Sequence, residues 1–187
     1  MMRPAFVIPA VLAAAVLLAA LQATTPPYAT LTGPINTEGR QSETVSSDTF
    51  SVKVNRILKA KAIAYEQFGR AIDLRSSGVW VVVSAELMAF QKTMPVRAAT
   101  LIGASGRMYR QSRRAGEAPN ILSAKIVQPG LPTTGLFVFE LPEDEIRSMK
   151  LLLSEQYDPQ LKDEISVSLE PDDTAPQTRL EIRKDGV

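Results

Sequence analysis

Four arginines cluster around a tyrosine in the stretch "RMYRQSRR" at positions 107–114. The five candidate binding residues are Arg107, Tyr109, Arg110, Arg113 and Arg114. Guanidinium groups pair with anionic oxygens, so this segment could contact anionic lipid headgroups, an acidic polymer or a partner protein. If residues 108–114 are extended, Arg110 and Arg114 share one face, and Tyr109 and Arg113 share the other. The alternative is an edge strand kept soluble by charge, which also prevents edge-to-edge aggregation.

Residue types that carry much of enzyme chemistry are missing from the chain. It contains no cysteine and no histidine, which excludes thiolate nucleophiles, Ser-His-Asp triads and thiolate or imidazole zinc ligands. The sequence also has no S-x-x-K, GxSxG, P-loop or GxGxxG motif. We therefore expect no catalytic residues, no cofactor and no enzyme activity.

Two acidic groups in the carboxyl-terminal third raise the question of a metal site. Calcium needs several oxygens around one point, and the alternating aspartates and central glycine of an EF-hand loop are missing. No pair of carboxylates is singled out for glycoside cleavage. We expect these residues to solvate turns and to bind no metal: Glu143, Asp144, Glu145, Glu170, Asp172 and Asp173.

The overall charge is nearly balanced, with 21 basic and 20 acidic side chains. A general nucleic-acid binder usually shows a clear basic excess. We therefore expect no nucleic-acid partner, although a local basic patch is compatible with this balance.

The amino-terminal segment predicts export of the rest of the chain. Residues 4–21 are 18 positions without a polar side chain, and a helix of that length spans about 27 Å, close to the bilayer core of about 30 Å. Arg3 precedes this run and the next basic residue is Arg40, which predicts a cytoplasmic amino terminus. Residues 1–23 are either an uncleaved signal-anchor or a signal peptide cleaved after Ala23. Residues 24–48, rich in Thr, Ser, Pro and Gly, predict a flexible spacer, part of which could pack as a strand.

From residue 49 onward, short stretches alternate between apolar and polar side chains, which predicts β-strands. The stretch "FSVKVNRILKAKAIAY" predicts two strands or one bent strand. The stretch beginning at Val79 predicts a central strand that buries Trp80 in the core. A "GASG" turn, "ILSAKIV", "IRSMKLLLSE" and "DEISVSLE" continue the series.

The stretch "QPGLPTTGLFVFELP" predicts a turn followed by a half-buried strand. Pro129 and Gly130 suit the second and third positions of a β-turn. Phe137, Phe139 and Leu141 then share one face, and Pro142 ends the strand because it has no N–H to donate.

Seven or eight such strands predict an all-β fold, an antiparallel β-sandwich over residues 49–170, followed by a polar tail or last edge strand over 171–187. The segments "WVVVSAEL", "LIGASGRMYRQS" and "QPGLPTTGLFVFELP" resemble the immunoglobulin-like, telokin-like domains of uncharacterised bacterial exported proteins. The matching positions are Gly106, Tyr109, Pro129, Gly130, Gly135, Phe139 and Pro142. The resemblance implies a tethered exported domain and brings no activity or catalytic residues.

Together these features predict a single-pass membrane protein whose extracytoplasmic sandwich binds a partner protein of the cell envelope. A soluble periplasmic or secreted binder released by signal cleavage is the alternative. An enzyme is the third and disfavoured hypothesis.

Overall fold

The computed structural model describes residues 4–26, 31–172, 174–184 and 186. Arg3 and Asp173, both named above, lie outside this set. The chain divides into two compact units, Met1–Gly33 and Pro34–Val187. The first unit contains the helix α1 (Pro4–Thr24), of 21 residues. Its stretch Val7–Thr24 is long and apolar enough to cross a membrane, and none of it is buried.

The second unit contains twelve strands within the described residues. Their bounds are β1 (Ile35–Arg40), β2 (Thr44–Ser46), β3 (Phe50–Gln67), β4 (Arg70–Ala89), β5 (Met94–Pro95), β6 (Ala98–Ile102), β7 (Met108–Arg110), β8 (Ile126–Val127), β9 (Thr133–Leu141), β10 (Met149–Ser154), β11 (Asp163–Leu169) and β12 (Leu180–Ile182). Three short 3₁₀ helices interrupt the loops at Arg113–Ala115, Leu122–Ala124 and Glu143–Arg147.

The strands form two main sheets. The first has the order β1-β11-β10-β6-β7, and the second has the order β12-β3-β4-β9 with β2 paired to β3. A small third sheet joins β5 and β8. Most neighbours are antiparallel, but β1 runs parallel to β11 and β12 runs parallel to β3. The predicted β-sandwich preceded by an apolar helix is confirmed.

The long hairpin of β3 and β4 forms the centre of the second sheet. Its register shifts between Val54 and Arg56 and again between Ala60 and Ala62, so β3 is the single bent strand that the sequence allowed. At the second shift, residues 76–79 of β4 lie opposite only Lys61 of β3. The bulge separates a part of the hairpin that pairs with β9 from a part that pairs with β12.

Most of the buried apolar side chains fall into two clusters. The larger one lies between the main sheets and takes one face of β3, β4 and β9, including Phe137 and Phe139. The smaller one lies on the other face of the second sheet, where Trp80 and Val138 pack with Ala115, Ala118 and Ile121. Trp80 is therefore a core residue, as predicted. The strand β9 is buried on both faces because the segment around residues 115–121 covers its outer face, so the prediction of a half-buried strand was wrong.

Two segments follow an alternative that the sequence left open, and one differs from the sequence prediction. Residues 35–40 and 44–46, placed in the flexible spacer, pair with β11 and β3 and belong to the sandwich unit. The stretch "ILSAKIV" forms a 3₁₀ turn and the two-residue strand β8 in place of a full strand. In the predicted tail, β12 is an edge strand, which was one of the two alternatives.

Candidate functional site

The arginine segment begins at the turn between β6 and β7. The turn is a hairpin turn as predicted, because Gly106 has a φ of 83° and its N–H donates to the Gly103 carbonyl at 2.9 Å. Tyr109 and Arg107 both lie close enough to the carboxylate of Glu145 to affect its pKa. Burial and the neighbouring Glu145 raise the pKa of Tyr109. Arg107 and Tyr109 therefore belong to the contacts between the β6–β7 turn and Glu145.

Glu145 is the buried centre of this turn, with only 3% of the residue exposed. Ser105 donates its Oγ to Oε1 at 2.5 Å and its N–H to Oε2 at 2.9 Å. These bonds, with smaller contributions from Tyr109 and Arg107, lower the pKa of Glu145 against the opposing effect of burial. The expectation that Glu145 solvates a turn was wrong, because its carboxylate is buried and accepts the turn's hydrogen bonds.

The strand β7 ends at Arg110, and the chain then turns into a 3₁₀ helix at Arg113. Residues 108–114 are therefore not extended throughout, and the alternation of faces expected for them does not continue to Arg114. The guanidinium of Arg110 lies 4.4 Å from the ring centroid of Tyr157, and its Nη2 is 3.9 Å from Asp158 Oδ2. Both partners belong to the loop between β10 and β11.

Arg114 is held against the outer face of the second sheet. Its Nη1 pairs with Glu140 Oε1 at 2.8 Å, its Nη2 donates to the Arg75 carbonyl at 2.9 Å, and its guanidinium lies 5.2 Å from the Trp80 ring centroid. The Trp80 Nε1 donates to the Leu74 carbonyl at 3.0 Å. Arg114 thus secures the bulge of β4 and is not available to a ligand in this arrangement.

Arg113 differs from the other arginines of the segment. It is exposed and lines a pocket of about 270 Å³ together with Arg97. Arg97 was not among the candidate residues predicted from the sequence. Neither guanidinium has an ion-pair or hydrogen-bond partner among the described residues. Arg97 comes from the connection between β5 and β6, ten residues before Arg107, and is separated from the "RMYRQSRR" stretch by β6 and the turn that follows it. No local spacing could have joined the two residues.

The rest of this pocket has both polar and apolar lining residues. Gln111 and Ser112 are among the polar ones, and Ser123 donates its hydroxyl to Gln111 Oε1 at 3.2 Å, which leaves the Gln111 amide nitrogen as a donor. Ile121 and Val138 are among the apolar ones, and none of the described lining residues is acidic. We call this site, defined by Arg97, Gln111, Ser112, Arg113, Ser123 and Tyr157, the two-arginine pocket.

Two of the remaining acidic candidates, Glu143 and Asp172, pair with lysines. Glu143 Oε2 lies 2.6 Å from Lys61 Nζ, and the Asp172 carboxylate lies 3.1 Å from the Nζ of the buried Lys59. A hydrogen bond from Thr174 and the pairing with Lys59 lower the pKa of Asp172. Within the described residues, no three acidic side chains are grouped so as to hold a metal ion.

A second concave surface lies at the far end of the β3–β4 hairpin. It has a volume of about 1060 Å³, an apolar lining that includes Tyr65, Ile72 and Ile182, and charged residues of both signs. Phe68 lines it from the hairpin turn and is 95% exposed. Phe68 and Gly69 have φ values of 48° and 73°, the positive pair typical of a type I′ turn.

Solved structures show the same fold. The secreted protein MPT63 from Mycobacterium tuberculosis is 16% identical, covers 74% of this chain and 98% of its own, and gives a TM-score of 0.50. The yjhA protein from Bacillus subtilis is 12% identical, covers 70% and 99%, and also gives 0.50. An uncharacterised β-sandwich protein from Clostridium difficile is 12% identical, covers 73% and 96%, and gives 0.46.

No protein-family model and no curated protein matches this chain. At these identities the structural likeness shows a β-sandwich and nothing about activity. It does not identify the immunoglobulin-like, telokin-like family, which stays a prediction from the sequence.

Proposed function

We propose that this chain is an exported binding module of the cell envelope that is anchored by α1, acts without catalysis and contacts a partner protein through the free end of its β3–β4 hairpin. The observation that carries the export is α1 itself. Its 21 residues span about 32 Å, against a bilayer core of about 30 Å, and its described side chains from Val7 onward are exposed. A helix with no apolar face buried in protein needs lipid or removal by cleavage.

Two readings of α1 remain, and both export the sandwich. An uncleaved helix gives a single-pass protein with an extracytoplasmic carboxyl-terminal unit. Cleavage after Ala23 gives a soluble periplasmic or secreted binder. MPT63, which is described as a secreted protein, favours an exported location for a sandwich of this kind.

The hydrogen bonds of the buried polar side chains support a function without catalysis. Glu145, the buried carboxylate in this arginine-rich region, already accepts two hydrogen bonds from Ser105. With no histidine or cysteine in the chain, the usual general bases and nucleophiles at neutral pH are missing. Binding is the function that these surfaces support.

Phe68 favours a protein as the partner. A phenylalanine at positive φ is strained, and an aromatic ring left in water contributes nothing to the fold. The neighbouring groove carries both signs of charge, with Arg179 paired to Asp73 at 3.5 Å and Arg183 paired to Glu181 at 3.1 Å. Mixed charge around an aromatic anchor suits a protein surface better than an anionic membrane, which would select basic residues alone.

Intact mass and crosslinking in native membranes test this proposal. A photoreactive phenylalanine analogue at position 68 is compared with the same analogue at Leu161, which is also exposed and has a φ of 51°. We expect one extracytoplasmic protein crosslinked from position 68 and not from position 161. Equal labelling from both positions, or none, would overturn the partner proposal. The full mass in the membrane fraction supports the anchor, whereas loss of about 23 residues supports the soluble alternative.

A further inference from the structure

We propose that the two-arginine pocket binds a phosphate-type oxyanion. Arg97 and Arg113 approach it from two different connections, the one before β6 and the one after β7, and both are exposed without a described partner. Two unneutralised guanidinium groups on one pocket create a local positive potential that favours an anion.

The contrast with the neighbouring arginines strengthens this assignment. Arg114 has a carboxylate at 2.8 Å, and Arg107 interacts with the buried Glu145. Arg110 stacks on Tyr157, itself a wall of the pocket, and its nearest carboxylate is 3.9 Å away on the exposed Asp158. The fold therefore neutralises some arginines of the segment and leaves positive charge at the pocket.

The donor set matches a tetrahedral oxyanion. Each guanidinium offers paired N–H donors, and the lining residues Ser112 and Gln111 carry a hydroxyl and an amide. No carboxylate among the described lining residues competes for these donors. A phosphate group carries more negative charge than a single carboxylate and has three or more acceptor oxygens, so it satisfies two arginines together.

The size of the pocket restricts the ligand. A volume of about 270 Å³ is below the range of about 300–1000 Å³ typical of pockets that enclose a drug-sized molecule. The pocket suits one anionic group with its waters, either a free phosphate or the phosphodiester of a lipid headgroup. Both ligands present anionic phosphate oxygens, and the experiment below distinguishes between them.

Calorimetric titration of the full-length chain in a neutral detergent tests the site at low ionic strength, because salt screens exposed charges. The probes are inorganic phosphate, glycerophosphoglycerol, which is the water-soluble headgroup of phosphatidylglycerol, and acetate as a carboxylate comparison. The variants are Arg97→Gln with Arg113→Gln, and the control Arg147→Gln, which removes an exposed arginine that does not line the pocket. Thermal unfolding checks that all variants fold.

We expect phosphate or glycerophosphoglycerol to bind the unmodified chain and the Arg147→Gln control equally. The double variant should bind on the order of tenfold more weakly or worse, because charge-assisted hydrogen bonds are lost. Tighter binding of inorganic phosphate indicates a free anion, and tighter binding of glycerophosphoglycerol indicates a lipid headgroup. Three outcomes would overturn the proposal: an unchanged affinity in the double variant, no binding of either phosphate probe, or tighter binding of acetate than of the phosphate probes. None of these outcomes bears on crosslinking from position 68.

Discussion

Ser105 holds both carboxylate oxygens of Glu145, one through its hydroxyl at 2.5 Å and the other through its N–H at 2.9 Å. This pairing joins the β6–β7 turn to the 3₁₀ helix that follows β9. It also explains Gly103, where an added Cβ would lie 2.4 Å from Glu145 Oε2. Two residues of the arginine segment, Arg107 and Tyr109, lie around this carboxylate.

The first prediction concerns Glu145→Gln, which keeps the size of the side chain and removes its charge. The pKa of Glu145 is lowered in the folded state, so the ionised carboxylate stabilises the fold above the unfolded pKa of about 4.3. That stabilisation is lost as pH falls through the folded pKa. We therefore expect the variant to melt at a lower temperature than the unmodified chain at pH 7, with the difference shrinking below about pH 4.3.

Ser105→Ala is the matched control for this prediction. It removes the Oγ donor and keeps the N–H donor, so its melting temperature at pH 7 should fall between those of Glu145→Gln and the unmodified chain. Thermal unfolding measured at a series of pH values checks both variants. A difference between Glu145→Gln and the unmodified chain that stays constant from pH 7 to pH 3 would contradict the ionised, hydrogen-bonded carboxylate.

The second prediction concerns the indole of Trp80. Trp80→Phe removes the donor to the partly buried Leu74 carbonyl and leaves space beside it, at a cost of about 1–3 kcal/mol in the free energy of unfolding. Arg114→Gln removes a half-exposed ion pair and should cost less than about 1 kcal/mol. Urea unfolding monitored by circular dichroism measures both values. The reverse order would mean that the guanidinium contributes more than the indole to the stability of the bulge.

The third prediction concerns the close approach of two backbones at Gly78. An added Cβ would lie 2.1 Å from the Leu141 carbonyl oxygen, which belongs to the neighbouring strand and cannot rotate away. We expect Gly78→Ala to cost about 1–3 kcal/mol, because β4 and β9 must separate locally. In Gly116→Ala the nearest atom is 3.3 Å away and the backbone is helical, so the change should stay within about 0.5 kcal/mol. Equal losses in urea unfolding would show that β4 and β9 adjust easily.

The sequence predicted the sandwich because its strands carry local signals. Alternation located β3, β4, β9, β10 and β11, and the Pro129-Gly130 turn is confirmed by a φ of 70° at Gly130 and an N–H to carbonyl bond from Leu131 to Gln128 at 3.3 Å. The strand β1 carries no such signal. Its side chains are mostly exposed, and it exists because its backbone pairs with β11, far away in sequence.

The site was harder to predict than the fold because it depends on contacts between distant segments. The charge cluster drew attention to Arg113, but the other arginine that lines the pocket is Arg97, on the connection between β5 and β6. Glu145 seemed an ordinary acidic turn residue until the fold placed it beside Ser105. Nothing in local composition distinguishes an arginine that clamps a bulge, such as Arg114, from one that lines a pocket.

The last prediction separates stability from binding at Phe68. Asparagine tolerates the positive φ of this turn position better than phenylalanine, and Phe68 is 95% exposed, so Phe68→Asn removes almost no buried surface. We expect the variant to be as stable as the unmodified chain or more stable by about 0.5–1 kcal/mol, since backbone strain is relieved.

The same substitution should weaken partner recovery if the aromatic ring is an anchor, because aromatic anchors at protein interfaces commonly contribute about 2 kcal/mol or more. Urea unfolding and lysine-directed crosslinking in native membranes, performed on the same preparations, measure the two effects. A variant that gains stability and loses its crosslinked partner would show that the strained turn serves partner binding at the expense of stability. A variant that loses stability while recovering the partner normally would place Phe68 in the fold and require a different contact surface.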